Sequence, residues 1–368
     1  MDFTPTEAQQ DLARLTGEVC DKLVTADRLR ELDKAEVRFD EALWHALAET
    51  GVLAATLPEA VGGSELGIPE QTVVLRELGK SVAAVPFLWS IVLGASTLAR
   101  YGSAEQREWA AKAGSGQAVL TVALSEERNW DPAAPTTTAA EDADGWRLTG
   151  AKTVVPFAAQ ADRILVSANV SGAPAVFLVD PSATGVRVTP QQVVDHSPDA
   201  EIEFDSAPAQ LVGSTDTGAE ILTRLLEYGW LGLAAQQLGT LERALDLVAE
   251  YGREREQFGR KIGGFQAVAQ RLADGYIDLQ GLRLAVTQAA WRLSEDLPAA
   301  AEIHTAKFWA AEAGHRIAHT VVHVHGGVGI DRDHVVHNYF TAAKHNEFAL
   351  GGATDHLRAL GDLLAERD

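Results

Sequence analysis

The run YGREREQFGRKIGGFQ spans residues 251–266. Its cations, from Arg253 to Lys261, close a long apolar-periodic segment predicted to be a helix over 217–252. Cations at a helix C-terminus offset the helix dipole, which is one sufficient reason for them. A guanidinium can also hold pyrophosphate oxygens bidentately, which is a second. The pattern resumes over 266–294 and again over 297–325. Helices of that length imply a bundle.

Upstream the texture changes. Short runs rich in branched residues, AVLTVAL (118–124), RILVSANV (163–170), AVFLV (175–179) and GVRV (185–188), are separated by Gly, Pro, Asp and Asn. Asp144-Gly145 is a turn signal just before WRLT (146–149). Strands at this spacing without intervening helices point to an antiparallel sandwich or barrel. Further upstream the period is helical again. EALWHALAET (41–50) is stopped by Gly51, and helices are predicted near 68–80, 85–101 and 104–113, with LPEAVGGSELGIP (57–69) as loop. The expected class is α+β in three parts: an N-terminal helical domain at 1–116, a middle antiparallel β-domain at 117–213 and a C-terminal helical bundle at 214–368.

The chain has 368 residues, more than one core usually covers, and 46% of them are hydrophobic, which excludes general disorder. Cys20 is the sole cysteine, so no internal disulfide forms, and it reads as a small buried hydrophobe. The N-terminus lacks a basic n-region followed by an apolar run, and no stretch reaches the length of a membrane span. A cytoplasmic protein is expected. The net charge of −21 disfavours nucleic acid and anionic membranes as partners.

Several local patterns carry little. Gly62-Gly63-Ser64-Glu65-Leu66-Gly67 lacks the following Lys-Ser/Thr and the preceding strand of a phosphate loop. His315, His319 and His323 share a helix face, but i to i+8 spans about 12 Å, too far for one ion. No metal is expected. His325-Gly326-Gly327 has no G-x-S-x-G partner, so a serine hydrolase is excluded. The glycines of Gly326-Gly327-Val328-Gly329 do permit a ligand to approach the backbone closely.

Taken together, the motifs resemble the acyl-CoA dehydrogenase family. Tyr251, Arg255, Gln257, Phe258, Gly259, Ile262, Phe265 and Gln266 match its Y-x-x-x-R-x-Q-F-G-x-x-I-x-x-F-Q. His323, Gly326, Gly327 and Gly329 resemble its Q-x-x-G-G-x-G, with His323 replacing Gln. ALSE (123–126) resembles A-L-T-E, and LTGAK (148–152) resembles L-N-G-x-K. The start MDFTPTEAQQ and Leu57–Gly63 also look like family landmarks. The resemblance implies a helical domain, a middle β-domain and a C-terminal four-helix bundle. It implies FAD lying across a subunit interface and α,β-dehydrogenation of an acyl-CoA thioester, with a glutamate taking the α-proton. Arg255, Gln257, Phe258, His323, Gly326 and Gly327 would then meet the ADP end of a neighbour's FAD.

The departures from the family pattern cluster at the flavin ring and the base. Trp130, in Asn129-Trp130-Asp131, stands where a small residue normally admits the flavin. Val154-Val155-Pro156 replaces W-I-T, and Pro has neither hydroxyl nor N–H. Thr341-Ala342 replaces R-D. The base falls on Leu350 or Gly351, in Leu350-Gly351-Gly352, so no catalytic residue is expected here. Some relatives carry the base on an earlier helix; the matching position is Gly229, with Glu227 roughly 200° away around the helix.

This selective loss resembles the non-catalytic subunit of an actinobacterial heteromeric (α2β2) acyl-CoA dehydrogenase of steroid catabolism. The implied partners are a subunit carrying the catalytic Glu, an acyl-CoA substrate and an electron-transfer flavoprotein. The alternatives are a complete homo-oligomeric enzyme using Glu227, and a flavin-free structural paralogue.

Overall fold

The computed structural model describes residues 3–365. Helix starts follow the caps in the sequence. Thr6 accepts from the Gln9 N–H while the Gln9 side chain returns to the Thr6 N–H, a capping box that opens α1 (Glu7–Leu23). Next come α2 (Ala26–Lys34), α3 (Glu41–Glu49) capped by Asp40, and α4 (Ile68–Lys80). The 85–101 stretch begins as a π-helix, Phe87–Ala95, after Pro86 and continues as α5 (Ser96–Tyr101). A second capping box, Ser103 with Gln106, starts α6 (Ala104–Gly114).

Seven strands follow: β1 (Leu120–Ala123), β2 (Thr138–Asp142), β3 (Gly145–Pro156), β4 (Arg163–Val170), β5 (Ala173–Val179), β6 (Val186–Pro190) and β7 (Asp199–Leu211). The pairings run β4–β5–β7–β3–β2 and return to β4, so the sheet closes on itself, with β1 and β6 attached to β4 and β7. It is antiparallel except where β4 runs parallel to β1 and meets β2 at Thr138 and Asn169. Leu148, Ile164, Val166, Phe177, Ile202 and Phe204 fill the inside.

The remaining helices are α7 (Gly218–Glu254), α8 (Gln266–Ser294), α9 (Ala300–His325), α10 (Val335–Phe348) and α11 (Ala353–Ala365). Between α7 and α8 lies a two-residue-per-strand hairpin, β8 (Glu256–Gln257) and β9 (Arg260–Lys261).

The chain divides into two compact units. The first takes its described residues from 3–34, 68–83 and 230–365; the second from 35–67 and 84–229. In the first, α4 and α7 cross at two glycines. A Cβ on Gly239 would stand 1.8 Å from the Arg76 carbonyl oxygen, and one on Gly79 would stand 2.1 Å from that of Gln236. Only Gly lets the two backbones come so close. Buried Glu242 on α7 fastens the crossing, accepting from Arg76 Nε and Arg283 Nη2 at 2.7 Å each.

Candidate functional site

The 251–266 run leaves the last turn of α7 as the β8–β9 hairpin. Its two loop residues, Phe258 (φ 54°) and Gly259 (φ 75°), both have positive φ, as a type I′ turn requires. Phe258 is an unusual occupant, because a bulky side chain at positive φ is strained. It is also 90% exposed. Two costs on one residue, backbone strain and an uncovered ring, mark a position kept for something outside the chain. Arg255 and Gln257 are exposed beside it, and neither side chain makes a hydrogen bond or ion pair to a described residue. Between Arg253 and Lys261 four cations face two carboxylates, in a chain of net charge −21.

The second motif follows α9. Gly326 has φ 65° and ψ −139°, a region essentially confined to glycine. The chain then turns through Gly326–Ile330, and a Cβ on Gly326 or Gly327 would meet nothing within 4 Å. His323 is exposed one helical turn earlier. The two motifs come together through rings. Tyr251 and His325 stack with centroids 4.4 Å apart and planes at 22°. The structure therefore gathers all six sequence-predicted residues, Arg255, Gln257, Phe258, His323, Gly326 and Gly327, onto two segments joined by that stack. Chemically the set offers an unpaired guanidinium, an amide, an imidazole, open backbone and an aromatic face, which suits an anionic dinucleotide.

The Leu350-Gly351-Gly352 stretch, which the resemblance aligns with the family's base, is built as a bend. Leu350 (φ 53°) and Gly351 (φ 104°) form the bend between α10 and α11. Trp230 Nε1–H donates to the Leu350 carbonyl at 2.9 Å. Lys307, fully buried, donates from Nζ to the carbonyls of Gly351 (2.8 Å), Asn346 (3.1 Å) and Glu347 (3.3 Å). Burial pushes the Lys307 amine down to about 7, against the opposing pull of Glu347 and Asp355. His304 and His356 share a hydrogen bond between their Nδ1 atoms at 2.9 Å. Burial first, then Lys307 and His304, push His356 down to about 3. Leu350, Gly351 and Gly352 carry no carboxylate of their own, and the Asp355 carboxylate that reaches the bend accepts from the Gly352 N–H at 2.9 Å. Sequence reading missed this clamp, although one signal existed: Lys307 interrupts the buried face of Ile303, Ala306, Ala310, Ala311 and Gly314.

In the second unit, the segments that depart from the family motif are also settled. Val154 (φ 50°) sits in a β-bulge of β3, its N–H donating to Gln191 Oε1 at 2.8 Å, and Pro156 is buried against β7. The hydroxyls at this segment are already engaged: Thr153 Oγ1 pairs with the Gln191 side chain, and Thr121 Oγ1 donates to the Pro156 carbonyl. Trp130 is 87% exposed on a loop. Glu126 accepts from Lys152 Nζ at 2.8 Å and from the N–H groups of Thr136 and Thr137. Burial alone would raise the Glu126 carboxyl, but Lys152, the Thr136 hydroxyl and the Asn129 amide hold it well below the usual range. It is a strut, not a base. Glu227 is half-buried; burial raises its carboxyl, and Arg224 opposes the shift. His315 and His319 have ring centroids 4.6 Å apart, and among the described residues no group of three or more His, Cys, Asp or Glu is placed to hold a metal ion.

The N-terminal domain model of the acyl-CoA dehydrogenases matches residues 6–117, and their C-terminal domain model matches 216–361. The chain belongs to the acyl-CoA dehydrogenase family, whose members are oxidoreductases. It is 50% identical to the acyl-CoA dehydrogenase FadE27 of Mycobacterium tuberculosis, over 100% of this chain and 99% of that one. A chain in the crystal structure of the ChsE4-ChsE5 complex from the same organism superposes with a TM-score of 0.95 at 50% identity, covering 100% and 99%. A chain of a variant of the Tcur3481-Tcur3483 steroid ACAD gives 0.93 at 40% identity, covering 98% of each. Among the described residues no helix is long and apolar enough to cross a membrane.

Proposed function

We propose that this chain is the non-catalytic subunit of a heteromeric, cytoplasmic, FAD-dependent acyl-CoA dehydrogenase. The observation that carries the proposal is an asymmetry. The residues suited to the ADP end of FAD are exposed and unpaired, whereas the base position is a carbonyl bend clamped by Lys307 and Trp230. The likeness to chains of two-component complexes, one of them a steroid ACAD, supports a partner subunit and a bulky steroid-like acyl-CoA.

FAD, when bound, supplies the hydride acceptor for α,β-dehydrogenation. This chain's part is to bind and orient. Arg255 neutralises diphosphate charge, Gln257 and His323 offer polar contacts, and Phe258 covers the ligand. Gly326 and Gly327 present backbone without side chains in the way. The proton-abstracting glutamate and the flavin-ring contacts belong to the partner, and an electron-transfer flavoprotein reoxidises the complex. Purified alone, the chain is expected to be colourless and inactive. Co-expressed with a family member that keeps the glutamate and W-I-T, it is expected to yield a yellow, active complex with fewer flavins than subunits. A yellow, active homo-oligomer would overturn the reading.

A second reading, a complete enzyme using Glu227, draws on the raised carboxyl of that residue. Loss of turnover with retained FAD in Glu227→Gln would favour it.

A further inference from the structure

We infer that Tyr251 and His325 are positioning residues that hold the Arg255–Gly259 hairpin and the Gly326-Gly327 turn in one fixed relation, so that both grip the same dinucleotide. The inference rests on the ADP-end reading above and assigns the device that makes two separate loops one site.

Each ring sits where its segment leaves a helix. Tyr251 lies in the last turn of α7, four residues before Arg255. His325 is the last residue of α9, directly before Gly326. Both segments then fold back onto the junction. A Cβ on Gly263, beyond the hairpin, would stand 2.9 Å from the Gly252 carbonyl oxygen, next to Tyr251. A Cβ on Gly329, beyond the second turn, would stand 3.0 Å from the His325 Cβ. The stack is thus the point on which both loops close. The imidazole is itself fixed: buried His325 Nδ1 donates to the Val321 carbonyl at 2.8 Å. The His334 ring lies 5.5 Å from that of His325, and its Nδ1 accepts from the Val336 N–H at the start of α10. Burial lowers the His325 imidazole, the Val321 carbonyl opposes the shift and His334 adds to it.

The Tyr251 hydroxyl makes no hydrogen bond to a described residue, so the ring alone carries this role. That separates the conservative change from the disruptive one. In the assembled complex, FAD dissociation constants are measured by flavin fluorescence during release and rebinding, and ADP competition is measured beside them. Tyr251→Leu and His325→Gln are expected to weaken FAD and ADP by between about twofold and tenfold, the range of one aromatic pair. Tyr251→Phe is expected to bind as the unaltered chain does. Arg255→Ala serves as the reference for the site. If it weakens FAD while Tyr251→Leu and His325→Gln do not, the positioning role is overturned and the ADP-end reading stands. If Arg255→Ala is also silent, the ADP-end reading itself falls. Equal weakening by Tyr251→Phe and Tyr251→Leu would also overturn the ring-stacking role. Should Tyr251→Leu fail to assemble, His325→Gln, which keeps a donor for Val321, decides the matter alone.

Discussion

Lys307 Nζ lies 2.8 Å from the carbonyl oxygen of Gly351, so a buried amine holds the bend between α10 and α11. The same amine also caps the Asn346 and Glu347 carbonyls, orphans of the α10 C-terminus. The bend is a built structure in its own right, with Lys307 Nζ and Trp230 Nε1 as its donors.

Lys307→Met leaves the buried Asn346 and Glu347 carbonyls and the half-buried Gly351 carbonyl without this donor. The expected loss is about 2–4 kcal/mol of stability, from the cost of unsatisfied buried acceptors. Thermal unfolding of the purified chain measures it, and an unchanged midpoint would contradict the clamp.

Restoring a carboxylate does not restore a base. At Gly351 the backbone has φ 104°, and a Cβ would stand 3.1 Å from His356 Nε2. Gly351→Glu is therefore expected to lower the unfolding midpoint and to give the isolated chain no dehydrogenase turnover with any acyl-CoA. Appearance of activity would show that the bend is an intact catalytic pocket lacking only its side chain.

His356 and Lys307 predict two separate pH windows with the same sign, stability rising with pH through each. His356 is down at about 3 when folded, against 6.5 for the ordinary group. The unfolded chain binds that proton more readily, so stability is full above about 6.5 and is lost as pH falls towards 3. Lys307, down at about 7, makes stability rise as pH climbs from 7 towards 10.5. Between pH 7 and pH 5 the unfolding midpoint should fall more steeply for the unaltered chain than for His356→Asn. Parallel curves would sink the assignment.

In the β-barrel, the Lys152 and Glu126 side chains are 0% and 3% exposed and meet at 2.8 Å. Lys152→Met removes one charge and leaves the other buried. A loss of about 3–5 kcal/mol is expected. The double variant with Glu126→Gln should recover part of it, which a double-mutant cycle on denaturant unfolding would read.

Phe258 sets stability against binding. Asn tolerates the left-handed region better than Phe, so Phe258→Asn relieves strain of about 1 kcal/mol or less and removes an exposed ring. The chain should unfold no earlier, yet the complex should retain less FAD on gel filtration. Full flavin retention would mean the ring does not cover the cofactor.

Much of the architecture could be read directly. Strand 163–170 and helix 68–80 appear with the predicted bounds, because their hydrophobic period and flanking turn residues agree. The longest strand, β7, was missed. Its sequence DAEIEFDSAPAQL carries four acids and a proline, which mask the alternation that buries Ile202 and Phe204. The β4–β1 pairing is parallel, against an antiparallel expectation, because β1 arrives from a helical segment and not through a hairpin. Trp130 and Pro156 were picked out by type, but only the fold shows one on an exposed loop and the other buried in a bulged strand.

By itself, the sequence determined the order helices, strands, helices, and the residue types in the 251–266 and 323–329 motifs. Those follow from local periodicity and from motifs a few residues long. Tertiary structure alone decided that Tyr251 stacks on His325, 74 positions further on, and that Lys307 closes the bend at Gly351. Stacking and burial join residues by distance in space, and no local pattern encodes which distant helix end will supply the partner.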